Sequence, residues 1–158
     1  MFNNLSNNTS AYIKAAEKIV EGEVIATYLE NSETGPRSLG NTSILCDAGN
    51  KKTVENLNLN LKKRDFFQPL APIILEEDFN NYFLVNKNVY KNLEWMGTIC
   101  EAKQELYNKY KPVIHVDGTC RTQIIKDNNY NLKDDIESLN NVMLFAIVSE
   151  KRKTSCGT

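Results

Sequence analysis

Three of the chain's four prolines and three of its seven glycines fall within forty residues, Glu33 to Pro72. Proline fixes φ and lacks a backbone N–H, and glycine tolerates positive φ, so no long regular element runs through such a stretch. It reads ETGPRSLGNTSILCDAGNKKTVENLNLNLKKRDFFQPLAP. An arginine leaves a Gly35-Pro36 turn, a small-residue run Gly40-Asn41-Thr42-Ser43 follows, and a basic cluster Lys62-Lys63-Arg64 leads to a Pro69-Leu70-Ala71-Pro72 exit. Loops and short elements that present cations and small residues suit an anion. The rest of the chain reads as scaffold.

That scaffold mixes helices and strands. Tyr12, Ile13, Ala15, Ala16, Ile19 and Val20 recur at helical spacing after a Thr9 or Ser10 N-cap, with Gly22 as the residue just past the end. Val24 to Leu29 is β-rich, residues 30–42 read as loop, and Ser43 to Cys46 as a strand. Thr53 is placed as the cap of a helix carrying Val54, Leu57 and Leu61, although the Leu57 to Leu61 alternation also fits a strand. Ala71 to Leu75 is a buried strand, and Glu76-Glu77-Asp78 an acidic first helical turn. Residues 86–94 read as loop, Trp95 to Cys100 as a strand, and Lys103 to Tyr110 as a weak helix. After an Asp117-Gly118 turn come a strand over Arg121 to Ile125, an amphipathic helix over Leu132 to Leu139 and a last strand over Val142 to Val148. The pattern predicts an α/β or α+β domain around one twisted sheet.

At 158 residues, 41% hydrophobic and 25% charged, the chain fits one globular domain. A polar start (1–8) and a polar tail (150–158) are expected to be disordered, leaving a domain over 9–149. A net charge of −1 argues against a broad nucleic-acid surface, so any anion site has to come from local clustering. Cys46, Cys100, Cys120 and Cys156 lie far apart without a CxxC pair, which argues for free thiols in a reducing compartment and against zinc. No apolar run approaches the ~20 residues that span a bilayer, and the N-terminus lacks signal-peptide features. A cytoplasmic protein without membrane contact is expected.

The candidate chemistry is cationic. Arg37, leaving a rigid turn, is a pre-positioned bidentate partner for phosphate or carboxylate. Ser43 and its neighbours offer hydroxyls and backbone N–H groups to a phosphate. Lys62, Lys63 and Arg64 are held near two prolines. Alternation along an extended chain puts Arg121 and Gln123 on one face, with Cys120 and Thr122 opposite. The single histidine, His115, and nearby Asp117 make too small a set for a metal and are expected to shape their loop.

Three separated blocks, GPRSLGNTSIL, KKRDFFQPLAPIILEED and HVDGTCRTQ, resemble successive blocks of the nodulation-factor and antibiotic O-carbamoyltransferases of the NodU/CmcH type. A Trp95-Met96-Gly97 segment lies between the second and third, as in that family, and the resemblance covers roughly residues 10–140. It implies the C-terminal part of such enzymes, with a YrdC-like fold: a twisted open mixed sheet flanked by helices. It implies use of ATP, with Mg, and of carbamoyl phosphate to make a carbamoyl-adenylate. A separate Kae1-like, metal-binding domain or chain then passes the carbamoyl group to an acceptor hydroxyl. On this reading Lys62 and Arg121 stabilise charge in catalysis, and Arg37, Ser43, Arg64 and Gln123 bind substrate. Catalysis by positioning and charge stabilisation needs no nucleophilic side chain.

The chain departs from that family in four ways. Thr42 and Gln68 stand where the family usually has arginine, and the family's Asn-Thr-Ser-Phe-Asn block and metal-binding N-terminal domain are not in this sequence. The alternative expectation is therefore a truncated, non-catalytic nucleotide- or phosphate-binding module that docks to a partner.

Overall fold

The computed structural model describes residues 9–28, 33–126 and 145–149. The first helix, α1 (Thr9–Val20), is closed by Gly22, whose φ is +89°. Gly22 donates to the Ile19 carbonyl at 2.9 Å and Glu23 to the Lys18 carbonyl at 2.9 Å. These are the two bonds of a Schellman motif, and its left-handed residue reverses the chain into β1 (Ile25–Tyr28). The helix, glycine turn and strand are those expected.

β2 (Thr42–Leu45) runs antiparallel to β1, with Tyr28 opposite Thr42. Helix α2 (Lys51–Asn56) passes into a π-helical turn over Leu57–Leu61. Its cap is Asn50, not Thr53: the Asn50 Oδ1 accepts the Thr53 N–H at 3.2 Å. Thr53 instead donates its hydroxyl to the Gly22 carbonyl at 3.0 Å, fastening α2 to the end of α1. Leu57 is buried while Leu59 and Leu61 face solvent.

β3 (Ala71–Leu75) is buried at all five positions, as a strand covered on both faces must be. Helix α3 (Glu76–Tyr82) carries the expected acidic first turn and leads into β4 (Phe83–Leu84). Two expectations fail next. Residues 86–94 are not loop but most of a 3₁₀ helix, Lys87–Trp95, capped by Asn86. Trp95 to Cys100 is not a strand: Gly97 donates to Asn92 at 2.7 Å, Met96 turns left-handed at φ +50°, and only Cys100 joins β5 (Cys100–Ala102). The apolar run that resembled a strand is the winding end of a helix.

Helix α4 (Gln104–Lys109) and a 3₁₀ turn (Lys111–Val113) follow, then β6 (Thr119–Cys120), β7 (Gln123–Ile125) and β8 (Phe145–Ser149). The expected strand over Arg121 to Ile125 is present as β7, two residues shorter at its start. β6 pairs with β5, and β7 with β3, so the chain crosses between two sheets at Arg121-Thr122. The expected helix over Leu132 to Leu139, residues 142–144 of the last expected strand and both expected disordered ends lie outside the described residues.

The larger sheet has the order β1-β2-β8-β3-β7 and the smaller β4-β5-β6. β8 is antiparallel to both β2 and β3, and β7 is parallel to β3. Consequently β2, β3 and β7 all run the same way. Their side chains alternate between two cores, as the two-residue period of a strand requires. Ile44, Ile74 and Ile124 face the larger core, with Val54, Leu57, Phe79, Phe83 and Leu106. Leu45, Ile73, Leu75 and Ile125 face the smaller one, with Ala16 and Ile19 of α1. The expected mixed α/β domain is the architecture found, with two open sheets in place of the single one expected.

Among the described residues Cys46, Cys100 and Cys120 are buried free thiols. Burial pushes the Cys46 thiol up to about 12 and the Cys100 thiol up to about 11, so neither is a thiolate at neutral pH. Among the described residues no helix is long and apolar enough to cross a membrane.

Phe79 lies at the centre of the larger core, stacked on Phe83 at 5.4 Å and edge-on to Tyr90 at 5.4 Å. Phe79→Ala is expected to cost about 3–5 kcal/mol of stability through lost burial and a residual cavity. Urea unfolding monitored by circular dichroism measures it.

Candidate functional site

The three parallel strands of the larger sheet begin at the same end, and the loops carrying the candidate residues enter there. The Glu33–Asn41 loop precedes β2, the Lys62–Pro69 turn precedes β3, and the Arg121-Thr122 crossing precedes β7. The registers pair Ser43 with Ser149, Ala71 with Ile147, and Ile73 with both Phe145 and Gln123, so Ser43, Ala71 and Gln123, at the starts of β2, β3 and β7, are stepped along the sheet by two residues each.

The first loop is built around an acid that sequence reasoning did not single out. The Glu33 Oε1 accepts N–H groups from Leu39 at 2.8 Å, Asn41 at 2.9 Å and Thr42 at 3.2 Å. Its Oε2 accepts the Thr42 hydroxyl. Burial alone would raise this carboxyl, but bonds from Thr42 and Leu39 outweigh it and hold it down at about 2. The remaining amides are engaged too: Gly40 donates to the Ser43 Oγ at 2.9 Å and Ser43 to the Thr27 Oγ1 at 3.1 Å. The expectation that the Gly40–Ser43 amides cradle a phosphate therefore fails, because the chain's own oxygens occupy them. Ser43 is buried, with its hydroxyl 3.2 Å from that of Ser38. Arg37, half-buried, is carried by this clamped loop. The signal available in the sequence was one carboxylate beside a run of small residues rich in N–H donors.

The basic turn is fixed by Asn58, which is fully buried at the start of the π-helical turn. Its Nδ2 donates to the Phe66 carbonyl at 3.0 Å and the Gln68 carbonyl at 2.9 Å. Its Oδ1 accepts the Arg64 Nε–H at 2.8 Å. Lys62 is half-buried, and Lys63 takes a left-handed conformation at φ +51° that turns the chain. Burial pushes the Arg64 guanidinium down from its ordinary value, and its Nη2 is buried with no hydrogen-bond partner among the described residues. A desolvated cation with a donor to spare favours an anion. Asn58 is legible only as part of the Leu-Asn-Leu-Asn-Leu alternation.

At the third loop Arg121 and Gln123, expected on one face, lie in different environments. The crossing between sheets leaves Arg121 exposed, whereas Gln123 is buried. Gln123 nevertheless joins β7 to the first loop: its Nε2 donates to the Leu39 carbonyl at 3.1 Å, across 84 residues of sequence. His115 and Asp117 form the preceding turn, as expected. The His115 Nδ1 lies 3.1 Å from the Thr119 Oγ1, and the Asp117 Oδ1 accepts the Thr119 hydroxyl at 2.8 Å and its N–H at 3.0 Å. Among the described residues no group of three His, Cys, Asp or Glu could hold a metal ion.

Residues 16–149 match the family described as Carbamoyltransferase C-terminus. The nodulation protein NolNO of Sinorhizobium fredii is 37% identical over 115 residues, covering 73% of this chain and 17% of that protein. The 3'-hydroxymethylcephem-O-carbamoyltransferase of Streptomyces clavuligerus is 29% identical over 107 residues, covering 68% of this chain and 19% of that protein. A full-length HypF structure in the phosphate- and nucleotide-bound form superposes with a TM-score of 0.62 at 16% identity, covering 90% of this chain and 21% of that one. The fold is HypF-like. The chain spans about a fifth of the length of the relatives it matches.

Two substitutions test the scaffold of this site. The depressed Glu33 carboxyl stabilises the fold fully above its ordinary value of 4.5, and that contribution is lost as pH falls toward about 2. Glu33→Gln is therefore expected to lower the melting temperature at pH 7, with the gap to wild type closing between those two pH values. Asn58→Ala leaves two carbonyls and one guanidinium N–H unpaired, and is expected to cost about 2–4 kcal/mol by denaturant titration.

Proposed function

Because the chain belongs to the carbamoyltransferase C-terminus family, we propose that it binds ATP, with Mg, and carbamoyl phosphate and activates the carbamoyl group as a carbamoyl-adenylate. The entry of three cation-bearing loops at one end of the sheet carries this reading, with the buried Arg64 Nη2, unpartnered among the described residues, offering a place for an anion. Water cleaves carbamoyl phosphate to carbamate and inorganic phosphate; a carbamate oxygen then attacks the α-phosphorus of ATP, making the carbamoyl O–P bond and releasing pyrophosphate. Charge builds on phosphoryl oxygens, and fixed cations stabilise it without a nucleophilic side chain. Lys62 and Arg121 take the role of stabilising the reacting phosphate, and Arg37, Arg64 and Gln123 that of holding the substrates. Ser43 acts through the loop it braces.

The relatives' greater length supports a further partner. A Kae1-like metal-binding domain or chain would carry the group to its acceptor hydroxyl. A second reading, a binding module without catalysis, is favoured by one observation: Thr42, where arginine would add a cation, spends its hydroxyl on Glu33.

Calorimetry and thermal melts with ATP, carbamoyl phosphate and both together test the proposal. Both ligands are expected to raise the melting temperature, and the pair to yield pyrophosphate and an AMP-linked product. Binding without turnover selects the second reading, and a folded sample that binds no ATP overturns the first. Arg121→Ala, at an exposed position, is expected to leave stability within about 0.5 kcal/mol. Loss of one charged contact is expected to weaken ATP binding by about tenfold or more.

A further inference from the structure

Gln123 is only 2% exposed, yet its side-chain oxygen has no hydrogen-bond partner among the described residues. A carbonyl oxygen only accepts, so the bond to Leu39 fixes which end of the amide is nitrogen. The Oε1 then points away from Leu39, buried, with no donor among the described residues. Backbone pairing does not rescue it, because β7's partner at this level is Ile73, an apolar residue on the same face. The fold thus holds a neutral acceptor in a fixed direction, two residues along from Arg121 and beneath the loop that carries Arg37.

We propose that the Gln123 Oε1 accepts an N–H from the amino group of the carbamoyl unit, making Gln123 the residue that distinguishes a carbamoyl from an acyl phosphate. The inference rests on the reading above and adds what it lacks, a basis for choosing that substrate. Carbamoyl phosphate presents acceptors on its phosphate and on its C=O, which the arginines match. Its NH₂ is its one donor, and Gln123 lies two residues from Arg121 and is bonded to the loop that carries Arg37. A carboxamide suits the task because it accepts at every pH near neutrality without placing a charge beside the phosphate. The enclosed position suits it too, since a water-free site protects an activated carbamoyl group from hydrolysis. Access requires the segment carrying Leu39 to part from β7, where one side-chain bond of 3.1 Å joins them.

Acetyl phosphate, with CH₃ in place of NH₂, is the discriminating probe. By calorimetry the wild-type chain is expected to bind carbamoyl phosphate about tenfold or more tightly than acetyl phosphate, since the analogue leaves the buried acceptor unpaired. Gln123→Met, with neither donor nor acceptor, is expected to bring that ratio near one. Gln123→Glu, neutral when buried, keeps a carbonyl acceptor and an O–H for Leu39, and is expected to retain the preference. Equal binding of the two phosphates by wild type overturns the inference even if no variant folds, and leaves the parent reading standing. A preference that survives in Gln123→Met also overturns it. If ATP is discriminated from inosine triphosphate and carbamoyl phosphate is not discriminated from acetyl phosphate, the acceptor serves the adenine amine and the inference fails. A folded chain that binds no phosphate at all overturns the parent reading and this one together.

Discussion

The loop that defines this domain is held by one carboxylate seated among its own backbone amides. Glu33 draws the N–H groups of Leu39, Asn41 and Thr42 onto a single oxygen, and everything that loop presents inherits the fixed geometry. Such a concavity of amides elsewhere binds phosphate. Here the fold fills it internally, which transfers the work of meeting an anion to side chains. Arg37, Lys62, Arg64 and Arg121, the cations of the proposed site, are spread over three loops. Backbone rigidity and side-chain charge are thereby separated: one acid sets the shape, and four cations supply the field.

Elements whose signals are local are legible in the sequence. Gly22 ends α1 because only a left-handed residue makes that turn cheaply, and Ala71 to Leu75 reads as a doubly covered strand because it contains no polar side chain. What escapes a reading of the sequence is non-local. The break at Arg121-Thr122 arises because two different sheets claim the residues on either side, and no window of a dozen residues contains either partner. Lys87–Trp95 is held by 3₁₀ bonds that leave little periodic trace. Asn58 and Glu33, polar residues in unremarkable positions, matter only because loops distant in sequence fold onto them.

The site divides the same way. The cations are identifiable from their chemistry and their blocks, and the strand directions explain why they share one end of the sheet. Their unequal environments are not readable from those blocks: Arg121 remains in solvent while Arg64 is partly desolvated against Asn58. On the proposed reading the exposed charge would meet a polyanion first and the enclosed one would orient it, since electrostatic interactions strengthen as water is excluded.

β8 is the last of the described strands in chain order but the middle strand of the larger sheet, flanked by β2 and β3. Until it is in place, β1-β2 and β3-β7 are two separate strand pairs with unpaired inner edges. During synthesis on the ribosome, the nascent domain therefore exposes both edges until residues 145–149 have emerged, and closure of the sheet is a late step of high contact order. The burden of keeping this protein from aggregating falls on that interval.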